Sequence, residues 1–349
     1  MPPKDSANTH KAQEQLALTL INQGKLKEAE NIYTDLVKSG SKNDIVHGNL
    51  GALLQKKGDT INAILLLKKS LDLNPNNPNV HNNLGTAFED QGDLSSAINS
   101  FNQAIELKLN FPEAHYNLGN ALKKKGDLTA AITSYQTALQ LKPNYPEAHY
   151  NLGNSLKDKG DITAATTAYN TAIELKLNFP EAHYNLGNAY LQEGEITAAI
   201  TAYITAIHLK PNYSEAHSNL GNALKDKGDL AAAIASFNKA LELTPDDPEI
   251  HFNLSLVLLS SGNYKNGWKE YEWRTKQKNL PFKFYATPKC NEWQGEQINR
   301  ENKLLLFTEQ GLGDTLQFMR YVLLLRNQSV NVSLCAPTRL HPLIQASGI

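Results

Sequence analysis

The chain has 349 residues, with 34 Lys and Arg against 35 Asp and Glu and a formal net charge of -1. That balance offers no field to gather nucleic acid or an anionic membrane surface. Two cysteines, Cys290 and Cys335, cannot build a disulfide framework. The start MPPKDSANTHKAQEQ has no apolar signal core, and no run approaches the roughly 18 apolar residues of a membrane span.

A cytoplasmic protein is therefore expected. All arginines (Arg274, Arg300, Arg320, Arg326, Arg339) and tryptophans (Trp268, Trp273, Trp293) lie beyond residue 267, so the chain divides into two parts of different character.

In chain order, residues 1–9 are polar and are expected to be disordered. From about residue 10 to residue 275 the chain repeats itself. Asn-Leu-Gly begins at Asn49, Asn83, Asn117, Asn151, Asn185 and Asn219, and Asn253 begins the variant Asn-Leu-Ser; every step is 34. Gly24, Gly58, Gly92, Gly126, Gly160, Gly194, Gly228 and Gly262 keep the same step, as do Pro78, Pro112, Pro146, Pro180 and Pro248.

Each unit reads as two helices. In the fourth, Pro112 opens helix A where its missing N–H costs nothing. Glu113 suits the positive end of the helix dipole. Leu118 and Leu122 recur at helical spacing. Gly126 ends the helix in a left-handed cap, and Asp127 caps helix B. Ala131, Tyr135 and Ala138 mark the inner face of helix B, and Gly119 allows the two helices to approach closely. A pair this small cannot bury its apolar face alone, so neighbouring pairs must stack.

The pattern His115, Leu118, Gly119, Leu122, Ala131, Tyr135 and Pro143 resembles the tetratricopeptide repeat. That family has tryptophan where His115 stands and usually tyrosine where Leu122 stands; Tyr190 keeps the tyrosine. The resemblance implies an all-α superhelix of about eight helix pairs whose helix A face holds ligand. Two asparagine ladders run along that helix. One is Asn49, Asn83, Asn117, Asn151, Asn185, Asn219 and Asn253; the other, three residues on, is Asn120, Asn154, Asn188 and Asn222. Residues i and i+3 share a helix face. An amide side chain can meet a peptide N–H and a peptide C=O together. The ladders are therefore candidate sites for holding an extended polypeptide by its backbone. They are similar to the ladder in the repeats of the protein O-GlcNAc transferases. The same asparagines can instead bond neighbouring helices and serve the fold.

A clamp for a terminal carboxylate is not expected, because Tyr116, Tyr150 and Tyr184 stand where the clamp needs cations. A third ladder is His47, His81, His115, His149, His183, His217 and His251. Zinc ligands must converge to roughly 2.0–2.1 Å from one ion, whereas stacked helices lie about 8–10 Å apart. The histidines are thus expected to pack, with no metal and no cofactor.

The eighth unit carries Tyr264, Gly267, Trp268, Tyr271, Glu272, Trp273 and Arg274, with Gly267 where alanine would stand. Residues 276–302 read as a connector. Lys303 to Thr308 reads as a strand, Glu309 to Asp314 as a tight turn, Thr315 to Leu325 as a helix and Val330 to Cys335 as a second strand. Leu340 to Ala346 begins another helix. Strand, helix, strand predicts a parallel βαβ unit. Leu316 breaks the glycine fingerprint of dinucleotide binding.

The runs Trp268 to Arg274, Trp293-Gln294-Gly295, and Glu309 to Thr315 with Arg320-Tyr321 look like the junction to a C-terminal glycosyltransferase. Such domains are similar to the ADP-heptosyltransferase family, of two Rossmann-like halves. The resemblance implies that Asp314 is a general base near an acceptor hydroxyl; the residue alone reads equally as the cap of the following helix. Residues 303–349 are expected to be the first βαβ of that domain, without the half that holds a nucleotide sugar. On its own the chain is expected to bind protein and to transfer no sugar. The alternative is a pure scaffold with a vestigial glycosyltransferase segment.

Overall fold

A computed structural model describes residues 4–277, 303–307, 319–336 and 338–346. The chain forms two compact units, Met1–Asp246 and Asp247–Ile349.

The first unit is a run of antiparallel helix pairs. They are α1 (Lys4–Asn22) with α2 (Leu26–Lys38), α3 (Asp44–Lys57) with α4 (Thr60–Leu73), α5 (Pro78–Gln91) with α6 (Leu94–Leu107) and α7 (Pro112–Lys125) with α8 (Leu128–Leu141). There follow α9 (Pro146–Lys159) with α10 (Ile162–Leu175), α11 (Pro180–Gln192) with α12 (Ile196–Leu209) and α13 (Ser214–Lys227) with α14 (Leu230–Leu243). Helix α1 begins at Lys4, and residues 1–3 of the expected disordered segment 1–9 lie outside the described residues.

The fourth pair shows why these residues fold this way. Pro112 occupies the first turn of α7 and Glu113 follows it. Gly126 ends α7 at φ 91°, a left-handed conformation that costs a residue with a side chain about 1–2 kcal/mol. The Asp127 carboxylate then accepts the Ala130 N–H at 3.0 Å and caps α8. Ala114, Ala121, Ala131, Tyr135 and Ala138 are fully buried between the helices. Gly119 is where the pair closes: a Cβ there would stand 2.6 Å from the Tyr135 ring. The same meeting recurs between Gly85 and Phe101, Gly153 and Tyr169, Gly187 and Tyr203, and Gly221 and Phe237.

Each pair packs on the next through the B helix of one and the A helix of the following one. Successive A helices also approach one another directly, α3 to α5, α5 to α7, α7 to α9 and α9 to α11, and successive B helices do so less. A stack whose A helices crowd together curves toward them, so the A helices form the inner side of the bend.

The second unit opens with the helix pair α15 (Pro248–Ser260) and α16 (Tyr264–Tyr271), closed by a 3₁₀ turn at Glu272–Lys276. Gly267 is buried, and a Cβ there would lie 2.8 Å from the Leu259 side chain, so glycine lets α16 reach α15. Trp273 stacks on His251 at 3.9 Å between ring centres and 7° between planes. His251 also pairs with Glu270.

Strand β1 (Lys303–Phe307) pairs in parallel with β2 (Asn331–Cys335), in register from Lys303 opposite Asn331 to Phe307 opposite Cys335. Helix α17 (Arg320–Asn327) precedes β2, and α18 (His341–Ala346) follows it. The expected parallel arrangement is present, with the described helix ending at Asn327 rather than Leu325. Leu304, Val322 and Val332 are buried, whereas Leu305, Leu323 and Leu324 are exposed. The connector beyond Gln277, Trp293 and the turn Glu309 to Asp314 lie outside the described residues.

Candidate functional site

Both asparagine ladders stand on the A helices, and every member is half-buried. What the sequence does not show is how much of each amide the fold consumes. At the contact between the fourth and fifth pairs, the Asn151 amide donates to the Tyr116 hydroxyl and to Asn120 Oδ1, both at 3.0 Å. Asn120 Oδ1 also accepts the Tyr135 hydroxyl at 2.7 Å. One step on, Asn185 donates to Tyr150 at 2.9 Å and to Asn154 Oδ1 at 3.0 Å, and Tyr169 donates to Asn154 at 2.8 Å. The third copy has Asn219 donating to Tyr184 at 3.1 Å and to Asn188 Oδ1 at 2.9 Å, with Tyr203 donating to Asn188 at 2.7 Å.

The ladder therefore ties each pair to the next, and the fold-serving reading of these asparagines holds for the three central contacts. It does not use them up. Asn151, Asn185 and Asn219 spend both N–H groups and keep their Oδ1 open. Asn120, Asn154 and Asn188 spend their Oδ1; Asn120 and Asn154 also give an amide N–H to the Tyr116 and Tyr150 hydroxyls, and each nitrogen keeps a second N–H. A further, long bond runs from Asn188 Nδ2 to Asn185 Oδ1 at 3.4 Å on the same helix.

The array changes outside this window. Asn117 donates to Asn82, which stands where the next repeats have Tyr116, Tyr150 and Tyr184. Asn49 donates to Tyr33. Thr86 replaces the second asparagine, and Phe101 and Phe237 replace the tyrosine of helix B. Asn83, Asn222 and Asn253 enter no such network among the described residues. Sequence reasoning named the asparagines but missed their partners. The available signal was that Tyr135, Tyr169 and Tyr203 occur in the same repeats as Asn120, Asn154 and Asn188.

Aromatic rings wall the network. Tyr116 packs 6.0 Å from Tyr135 and 4.9 Å from Tyr145. Tyr150 meets Tyr169 and Phe179, and Tyr184 meets Tyr203 and Tyr213, at matching distances. Burial pushes the hydroxyls of Tyr135, Tyr169 and Tyr203 well above the ordinary phenol value, so each stays a proton donor at neutral pH. Burial also raises Tyr116 and Tyr150, an effect partly offset by their asparagine hydrogen bonds. The side chains of the network are themselves uncharged, with polar edges set in an aromatic wall and the carboxylates of Glu89, Glu147 and Glu181 near enough to act on the tyrosines.

The histidine ladder does local work. Nε2 of His81, His149 and His217 donates to the carbonyls of Pro75, Pro143 and Pro211 at 2.9–3.0 Å. The ring pins the loop that enters its own A helix. Asp314 lies outside the described residues.

The fold is an α-solenoid of stacked helix hairpins with a half-used amide ladder on its inner helices. The TPR repeat family matches residues 51–92, 86–126, 119–157, 153–194, 187–228 and 221–262, and the chain belongs to the tetratricopeptide-repeat family. A crystal structure of MamA is 31% identical over 46% of this chain and 95% of that one, with a TM-score of 0.45. The C-terminal part of a TPR repeat-containing protein from Cytophaga hutchinsonii is 16% identical over 69% of this chain and 98% of that one, with a TM-score of 0.56. PilF of Pseudomonas aeruginosa is 19% identical over 59% and 94% of the two chains, with a TM-score of 0.54. The last two share the fold. A search of curated proteins finds no match. Among the described residues no helix is long and apolar enough to cross a membrane.

Proposed function

We propose that the repeats are a protein-interaction module of the cytoplasm that binds an extended polypeptide by its backbone, along the asparagine ladder. The observation that carries this reading is the pairing of open groups: Asn185 Oδ1 and Asn188 Nδ2 lie on one helix face, 3.4 Å apart and otherwise uncommitted. A peptide N–H can donate to the first while a C=O accepts from the second. Acceptors recur at Asn151, Asn185 and Asn219, and one remaining amide N–H at each of Asn120, Asn154 and Asn188. With helices about 8–10 Å apart and an extended chain rising about 3.3 Å per residue, each contact spans about three residues. The three contacts then span about nine.

Alanine at Asn117, Asn151, Asn185 and Asn219 would also untie the repeats, so the ligand is the better place to perturb. The test is the affinity of a neutral peptide of Ser, Thr, Ala and Val against its analogue with esters in place of alternate amides. Backbone reading predicts that scrambling the sequence leaves affinity unchanged and that the esters lower it at least tenfold. Equal binding of amide and ester chains would refute it.

A second element of the reading concerns the second unit. The parallel β1–β2 pair with α17 before β2 supports the first βαβ of a glycosyltransferase domain, with the repeats presenting acceptor polypeptide, Asp314 as general base and a nucleotide sugar held by a further half-domain. Turnover of a labelled nucleotide sugar by these 349 residues alone would refute the need for that second half.

A further inference from the structure

We infer that Tyr135, Tyr169 and Tyr203 are positioning residues that set which way the ligand-facing amides point, and so fix the donor and acceptor pattern offered to a bound chain. The inference rests on the backbone-binding reading above. An asparagine amide can turn over and exchange its oxygen for its nitrogen, and a free side chain would present either. Here the choice is forced from below. Each of these tyrosines is 0% exposed, so its hydroxyl has no water to use. Its donated hydrogen bond, at 2.7–2.8 Å, can only go to an oxygen. Asn120, Asn154 and Asn188 must therefore turn their oxygens inward and their nitrogens outward. That oxygen then collects the amide of Asn151, Asn185 or Asn219 from the next repeat, at 2.9–3.0 Å. The second amide is oriented in turn, with its own oxygen outward. One buried hydroxyl thus sets two exposed groups, and three copies set the same polarity along the window.

Phenylalanine should remove the instruction and keep the packing. Phe101 and Phe237 occupy the equivalent place against Gly85 and Gly221, both 0% exposed. In a Tyr135→Phe, Tyr169→Phe, Tyr203→Phe variant, each inner amide can turn over together with the amide that it pairs with in the next repeat. If the two orientations are equally populated, half of each site is competent, and three sites together cost about eightfold in apparent affinity.

Two measurements decide the matter. The first needs no ligand: side-chain amide exchange with water in asparagine-labelled protein, followed by NMR. The expected result is fast exchange at Asn120, Asn154 and Asn188, protection at Asn151, Asn185 and Asn219, and loss of the difference in the phenylalanine variant. Protection in the opposite set, or a difference that survives the three substitutions, overturns the inference. The second is affinity for the neutral peptide. A fall of about eightfold in the variant is expected, with no further fall when the substitutions are added to Asn120→Ala, Asn154→Ala and Asn188→Ala. Unchanged affinity in a variant that keeps its helicity overturns the positioning role. A wild-type chain that ignores the peptide instead sinks the binding reading, while the exchange measurement still decides the orientation.

Discussion

Asn120→Ala and Tyr135→Phe remove opposite ends of one hydrogen bond, and the structure says that they should not cost the same. Asn120→Ala strands the Tyr135 hydroxyl, whose residue is 0% exposed. A buried donor without a partner costs about 1–3 kcal/mol. The change also takes an acceptor from the Asn151 amide. Tyr135→Phe leaves Asn120 half-buried, still bonded to Asn151 and open to water, so the loss should be about 0.5–1.5 kcal/mol. The double variant no longer has a hydroxyl to strand. Its cost should fall short of the sum by about 1 kcal/mol, beyond the roughly 0.3–0.5 kcal/mol within which independent sites add. Urea unfolding followed by circular dichroism supplies the four free energies. Because repeats unfold by nearest-neighbour coupling rather than strictly in one step, amide exchange in α7 and α8 should accompany it. Additive costs would show that the hydroxyl finds another partner and that the network is not the unit described.

Other outcomes follow from the same packing. Gly153→Ala would place a Cβ 2.7 Å from the buried Tyr169 ring, and overpacking of this kind costs about 1–3 kcal/mol; an unchanged urea midpoint would contradict the close approach of α9 and α10. Burial lowers the pKa of His115 and His183, so the folded chain holds fewer protons than the unfolded one on the acid side of neutrality. Their contribution is complete above the unfolded value of about 6.5 and is lost as pH falls below it toward the folded value. Stability should therefore drop as pH falls through about 6.5, and His115→Gln with His183→Gln should flatten that part of the profile. In the second unit the two described strands offer little cover for Leu305, Leu323 and Leu324. Backbone amides of β1 should exchange much faster than those of α9, and equal protection would mark this segment as a finished domain.

The architecture was legible because a 34-residue period forces every unit to solve the same packing problem. Gly119, Gly126 and Asp127 each carry a geometric demand that few other residues meet, so their recurrence fixed the hairpin, its turn and its cap. The ladder was legible as a row of amides, but its orientation was not. That depends on contacts 15, 31 and 35 residues apart, such as Tyr135 to Asn120, Asn151 to Asn120 and Asn151 to Tyr116, which no local pattern reveals. Covariation between repeats gives only a partial signal. Thr86 accompanies Phe101, as the network requires, yet Asn222 persists beside Phe237.

The choice of asparagine at these positions follows from its having two unlike ends. A residue that ties two repeats and also meets a ligand must spend one group and keep another of opposite kind. Aspartate at position 151 would turn an acceptor toward Asn120 Oδ1, which already accepts the Tyr135 hydroxyl at 2.7 Å. It would replace a 3.0 Å bond with repulsion between oxygens. Serine or threonine is too short to bridge Tyr116 and Asn120 together, and glutamine adds a methylene and a rotatable bond to order. With asparagine, stacking holds the amide still before any ligand arrives, so little side-chain entropy is left to lose on binding. On the proposed backbone-binding reading, stability and recognition are coupled in the same six side chains, Asn120, Asn151, Asn154, Asn185, Asn188 and Asn219. The orientation that joins the central repeats is also the one that leaves an alternating donor and acceptor edge for an extended chain.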